Sequence, residues 1–215
     1  MRPLAALIDQ QDPALPLIVE RVSAAAHGAE ILAPSPARGE VLQWLQVSTR
    51  SHLGAVAYET GGILVDHGWL HILGSGNDKL SRNLRDWNTG RSSGYTLVAD
   101  DAVGGFFALN GGSLGEQAGA MYYWAPDTLA WEALGLGYGN FLEWTLSPAL
   151  AQFYHGLRWP GWEADIACLN ADQCLSFYPF LWSEHGSVQD RTRGIAGMGE
   201  RLQFNHDLAQ QLRGE

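Results

Sequence analysis

The segment YTLVADDAVGGFFALNGG, residues 95–112, carries the clearest strand signals in the chain. Two β-prone runs, residues 95–99 and 104–109, are separated by an acidic pair and followed by Asn-Gly-Gly. Connections this short join antiparallel strands, because parallel strands need a crossover of a dozen residues or more. The segment therefore predicts neighbouring strands of an antiparallel meander.

Similar β-prone runs lie on both sides of this segment. They are residues 54–58, 63–65, 69–73, 120–124, 129–134 and 177–181. The pair Gly61-Gly62 between the first two runs is typical of a hairpin. A β-meander is thus predicted over residues 46–135, interrupted by a long loop at 74–94 that contains a short helix near 80–87.

Helical patterns flank the predicted meander. Apolar positions at helical spacing occur in residues 15–26, 38–45, 140–146, 148–157, 162–169 and 199–212. They predict N-terminal helices within residues 12–45 and an aromatic-rich helical part over 136–215. The whole chain, 1–215, is predicted to be one α+β domain with a central antiparallel sheet between N- and C-terminal helices.

Composition limits the function classes. The chain has 215 residues, 46% hydrophobic, with 23 acidic residues against 13 Lys and Arg and a formal net charge of -10. Nucleic-acid binding needs a basic face, so no nucleic-acid partner is expected. The apolar runs are shorter than the ~18 residues of a membrane span, and the first segment lacks a leader-like apolar stretch. We therefore expect a cytoplasmic protein with no membrane partner.

The densest polar segment is residues 59–71, which contains Asp66, His67 and His71. Imidazole and carboxylate groups together are common metal ligands. On a strand, however, His67 and His71 would lie about 13 Å apart, too far to share one ion. We favour the rim of a hairpin over a metal site, and predict no metal and no cofactor.

Asp100 and Asp101 form the second polar cluster. Paired acids at a strand corner can bind a cation or perform acid–base chemistry. More often the first aspartate forms an Asx-turn that ends the strand and the second is solvated. We favour the turn.

Aromatic residues concentrate in the C-terminal half. Candidate ligand- or partner-binding residues are Tyr122, Trp124, Asp127, Trp131, Arg158, Trp159, Trp162 and Trp182. Exposed rings there would offer an adhesive surface for a protein or a sugar. If the C-terminal segment folds over them, they form a second core, which is the interpretation we favour.

The chain resembles, over nearly its whole length, a bacterial family known only as a domain of unknown function. The resemblance is carried by residues 61–76, 99–112, 122–132, 137–141, 159–162 and 177–182. A weaker similarity is to the SUKH superfamily, in the Gly104-Gly105-Phe106 strand, the strand at 122–124 and the helix at Phe141-Leu142. It implies a strongly bent sheet among helices and a role as an immunity protein that binds a toxin.

Three functions follow as hypotheses. The leading one is a non-catalytic module that binds a basic, toxin-like protein, because an acidic surface attracts a basic partner. The alternative is an enzyme or binding protein for a sugar or similar polar ligand, with a carboxylate pair beside tryptophans, either Asp100 with Asp101 or Asp127 with Glu163. The third is a homodimer that buries the aromatic face.

Overall fold

The main feature of the fold is a seven-stranded antiparallel sheet. A computed structural model describes residues 1–184 and 186–214. Strand order in the sheet equals chain order, and every neighbouring pair is antiparallel. The strands are β1 (Ala29–Leu32), β2 (Gly62–Val65), β3 (Leu70–Leu73), β4 (Tyr95–Asp101), β5 (Phe106–Asn110), β6 (Ala120–Ala125) and β7 (Ala130–Gly137). The predicted α+β class with a central antiparallel sheet is confirmed. β1 lies within residues 12–45, where only helices were predicted, so the sheet begins before the meander predicted over 46–135.

Helices precede, interrupt and follow the sheet. They are α1 (Leu15–Ser23), α2 (Arg38–Leu45), α3 (His52–Glu59), α4 (Leu84–Asn88), α5 (Tyr138–Thr145), α6 (Ala149–Phe153), α7 (Trp162–Ile166) and α8 (Met198–Arg213). A separate hairpin of β8 (Gln173–Tyr178) and β9 (Thr192–Gly197) lies between α7 and α8. Within the described residues, none of the helices combines the length and hydropathy that spanning a bilayer requires.

The strand predicted at residues 54–58 is wrong, because this segment is part of α3. The Ser51 hydroxyl accepts a hydrogen bond from the backbone N–H of Gly54 at 3.1 Å and thereby caps the helix. Ala55, Val56 and Ala57 are fully buried. An apolar run without polar alternation fits a buried helix as well as a strand, so periodicity alone did not separate the two.

The hairpin predicted at Gly61-Gly62 is also wrong. Gly61 precedes β2, whose first residue is Gly62, and the turn between β2 and β3 is instead formed around Asp66 and His67. Both residues have left-handed backbones, with φ of 53° and 59°. Two consecutive positive φ values belong to the tight turns that match the twist of an antiparallel pair.

The core occupies both faces of the sheet. Phe106 and Phe107 are consecutive in β5 and point to opposite faces, yet both are fully buried. Phe107 packs against Phe141 of α5, with ring centroids 5.1 Å apart. Tyr122, Trp124 and Trp159 are also buried, as the second-core interpretation predicts.

Candidate functional site

A cavity of about 630 Å³ lies at the β1 end of the sheet, facing the segment that follows α7. Its wall combines apolar side chains with titratable ones. The lining residues are His27, Gly28, Ala29, Glu30, Leu64, His67, Gly68, His71, Asp78, Lys79, Ile166, Ala167, Leu169, Asn170 and Ala171. This volume falls within the ~300–1,000 Å³ range of small-molecule sites.

His71 on β3 is the most buried titratable residue of the lining, with 4% of its side chain exposed. Strand register places it directly opposite Asp100 of β4, and its Nδ1 lies 3.0 Å from Oδ1 of that aspartate. An ionised carboxylate only accepts hydrogen bonds, so Nδ1 carries the hydrogen and donates it. The lone pair of neutral His71 is therefore on Nε2.

The Nε2 atom of His71 has no hydrogen-bond partner among residues 1–184 and 186–214. It is also absent from the set of unpartnered side-chain nitrogens that are fully buried, so it keeps some contact with solvent. A cavity-lining imidazole with one nitrogen fixed and the other free can accept a hydrogen bond or a proton from a bound molecule.

Arg82, in the loop before α4, holds Asp100 in place. Its guanidinium donates to both carboxylate oxygens of Asp100, one of them at 3.1 Å, in the bidentate geometry that arginine favours. Burial raises the pKa of the Asp100 carboxyl, but the attraction of Arg82 and the hydrogen bond from His71 outweigh it, so the pKa lies below its ordinary value. Asp100 therefore stays ionised although it is fully buried.

The same arginine fixes the opposite wall of the cavity. Its Nε donates to Asp172 at 2.8 Å, and its Nη2 donates to the backbone carbonyl of Ala171. The Asn170 side-chain oxygen accepts from the backbone N–H of Asp172 at 3.0 Å. Asn170 is an exposed residue of the cavity lining. Arg82 thus links the His71–Asp100 pair to the segment that carries Asn170.

The rim is built from the β2–β3 turn. His67 packs edge-on against Trp162, with ring centroids 6.1 Å apart. Asp66 accepts a hydrogen bond from Arg158 at 2.6 Å, and the Arg158 guanidinium lies 4.6 Å from the Trp69 ring and 4.2 Å from the Trp162 ring. This ion pair, with its cation–π contacts, fixes the turn that presents His67 to the cavity.

Asp101 points away from the cavity and is part of another buried cluster. Its carboxylate accepts from the backbone N–H groups of Val103 and Gly105, at 3.1 and 2.7 Å, and from the hydroxyls of Tyr123 and Tyr154, both at 2.8 Å. The expectation that the second aspartate is solvated is wrong, because Asp101 is fully buried and is itself the turn-forming residue. The pKa of Asp101 is raised by burial, against these hydrogen bonds.

The two aspartates therefore do not form a pair across a cleft. Consecutive strand residues point to opposite faces, and Asp100 and Asp101 contact different partners accordingly. Asp127 is exposed and borders a separate cavity of about 250 Å³ together with Trp182. Glu163 is exposed on α7.

The predicted aromatic candidates are dispersed. Four of them are half-buried, namely Trp131, Arg158, Trp162 and Trp182, whereas Tyr122, Trp124 and Trp159 are buried in the core. Trp131 packs on Trp124, with ring centroids 5.5 Å apart. Of the polar candidates, His67 lines the cavity. Asp66 binds Arg158 at the turn that carries His67, and Asp100 binds the cavity-lining His71.

Sequence reasoning missed Arg82, Asn170 and Asp172. Arg82 and Asp172 are separated by 90 positions in the chain, so no local pattern connects them. The sequence signal that pointed to this site was the pair Asp100-Asp101, together with the strand that carries His71. In the part of the chain that the structure describes, no group of three His, Cys, Asp or Glu side chains is arranged to hold a metal ion.

Comparison with known sequences places the chain in a family. A family model described as "Protein of unknown function DUF2625" matches residues 4–201. The chain belongs to this family. It is 40% identical over 212 residues to an uncharacterized protein of Escherichia coli (strain K12), YbfG, and the match covers 97% of each chain.

A second relative in the family comes from Haemophilus influenzae. This uncharacterized protein is 48% identical over 144 residues, which is 64% of this chain and 63% of that one. No solved structure matches the chain. The resemblance to a family of unknown function is confirmed, whereas the similarity to the SUKH superfamily is supported by none of these comparisons and stays a prediction.

Proposed function

We propose that the DUF2625 chain binds a small polar ligand in the cavity at the β1 end of the sheet, and that the ligand donates a hydrogen bond to Nε2 of His71. One observation carries the proposal: a buried, ionised Asp100 fixes His71 so that its free nitrogen is available at a cavity of about 630 Å³. Buried charge is costly, and ordered polar networks of this kind cluster at functional sites.

The lining favours a hydroxyl-bearing compound. Leu64, Ile166 and Leu169 supply an apolar wall, while His71 and Asn170 supply polar groups at separate points. Several separated polar groups around an apolar wall suit a ring that carries hydroxyls, such as a sugar.

Ligand-observed NMR with a panel of monosaccharides, disaccharides and polyols tests the proposal. We expect at least one compound to bind, and His71→Gln to raise its Kd about tenfold or more, equivalent to about 1.4 kcal/mol. His155→Gln is the matched control, because His155 is exposed and lies outside the cavity lining. Binding by neither protein, or equal binding by the wild type and His71→Gln, would contradict the proposal.

A second candidate function is recognition of a basic protein by a non-catalytic module in the cytoplasm, as a SUKH-like immunity protein would act. The observation that favours it is the formal net charge of -10. Titration with lysine- and arginine-rich peptides should then give binding that weakens as salt increases. Absence of binding at low salt would remove this candidate, and elution at monomer size in gel filtration would remove the homodimer.

A further inference from the structure

We infer that His71 acts as a general base and catalyses the hydrolysis of a carboxylic ester of a small polar compound bound in the cavity. The inference rests on the proposed ligand site and goes beyond it, since binding alone requires no proton transfer. It departs from the non-catalytic interpretation of the sequence. Its basis is that His71 and Asn170 line one cavity, while Asp100, held by Arg82, fixes the His71 ring.

The His71–Asp100 pair has the geometry that general-base catalysis requires. The carboxylate fixes the tautomer and the orientation of the ring, through the 3.0 Å bond to Nδ1. It also stabilises the imidazolium that forms when Nε2 takes a proton. Arg82 keeps the carboxylate ionised and immobile, so the ring is oriented before a substrate arrives.

The reaction balances with water as the second reactant. Nε2 of His71 takes a proton from a water molecule while the water oxygen forms a bond to the ester carbonyl carbon. The tetrahedral intermediate collapses, the bond between that carbon and the alcohol oxygen breaks, and the imidazolium returns the proton to the alcohol. The products are a carboxylic acid and an alcohol, and His71 is regenerated.

In the inferred reaction, Asn170 stabilises the negative charge that develops on the carbonyl oxygen. It is an exposed residue of the cavity lining, and its side-chain oxygen already accepts from the Asp172 backbone N–H, so the donor assigned to it is the amide nitrogen. Amide side chains serve as oxyanion donors in this way. Arg82 is a positioning residue, because it binds both Asp100 and the Ala171 carbonyl next to Asn170.

Charged and titratable groups surround the His71–Asp100 pair. Asp100 contacts His71, and Arg82 joins Asp100 to Asp172. The titratable groups of the cavity lining besides His71 are Glu30, His27, His67, Asp78 and Lys79. Lys79 and Glu30 pair at 2.5 Å, and Arg82 balances Asp100. Neutral Nε2 is the proton acceptor of the inferred step, because the imidazolium has no lone pair there.

Hydrolysis of 4-nitrophenyl acetate, and of acetylated forms of any compound found by NMR, tests the inference. We expect the wild-type rate to exceed that of free imidazole at equal concentration, and His71→Gln to lower kcat about 100-fold or more. Asn170→Ala should lower kcat more than it raises KM. His155→Gln should match the wild type.

A measurement on the unmodified protein keeps the inference independent of folding defects in the variants. Nitrogen-15 NMR should find the hydrogen of neutral His71 on Nδ1, and Asp100→Asn should move the tautomer and reshape the pH–rate profile. Turnover that survives His71→Gln, or a hydrogen on Nε2, overturns the inference. If a compound binds but its acetylated form is not hydrolysed, the general-base inference is overturned while the proposed ligand site remains. If no compound binds, both the inference and the proposed function are overturned.

Discussion

Replacing Arg82 by leucine will lower the free energy of unfolding by about 3–5 kcal/mol. Arg82 is the counter-charge of Asp100, whose carboxylate is fully buried. Without the guanidinium, that carboxylate stays in a low-dielectric interior, and the His71 ring is its remaining side-chain partner among the residues that the structure describes. The substitution also removes the bonds to Asp172 and to the Ala171 carbonyl. Urea unfolding monitored by tryptophan fluorescence measures the loss.

Two further variants separate the buried charge from a general arginine effect. Arg85→Ala is the control, because Arg85 pairs with the exposed Glu40 and surface pairs contribute about 0–1 kcal/mol. The double variant Arg82→Leu with Asp100→Leu removes the buried charge together with its partner, and should recover part of the lost stability. If Arg82→Leu costs no more than Arg85→Ala, Asp100 is not a buried, ionised residue that depends on Arg82.

The order of strands β2 to β7 followed from the sequence because sequential runs with short turns leave little choice of topology, whereas β1 lies where only helices were predicted. Runs such as residues 95–99 and 104–109 lie in β4 and β5, and sequential antiparallel pairing was the simplest arrangement of their connections. The exception was α3, where an apolar run lacked the polar alternation that distinguishes a half-buried strand. Its helix signal was the Ser51 cap, a single residue outside the run.

The candidate site was predictable only in part, because its residues meet through register and long-range contacts. Asp100 was recognised as a polar candidate, but choosing between it and Asp101 required knowing which face of β4 each side chain occupies. His71 was weighed only as a metal ligand with His67, although its partner lies on the next strand. Arg82 and Asn170 carry no local signal and enter the site through the packing of distant loops.

Gly105→Ala will destabilise the fold by about 3 kcal/mol or more, since it combines overpacking with the loss of buried hydrogen bonds. A Cβ at this position would lie 2.5 Å from Cε2 of Tyr123 and would overlap the Tyr123 hydroxyl and the Asp101 carboxylate. The glycine is needed for space: its φ lies outside the left-handed region, so alanine has no backbone penalty there. The added methyl group must push the Tyr123 hydroxyl away from the Asp101 carboxylate, which is buried and needs this hydrogen-bond donor.

Gly156→Ala is the matched control, because a Cβ there meets no atom within 4 Å and the residue is exposed. Its effect should stay within about 0.5 kcal/mol, as for an ordinary surface substitution. Thermal and urea unfolding of both variants measure the contrast. Equal stability of the two variants would mean that the Asp101 cluster tolerates displacement of Tyr123. Gly105 would then serve only to let the chain turn.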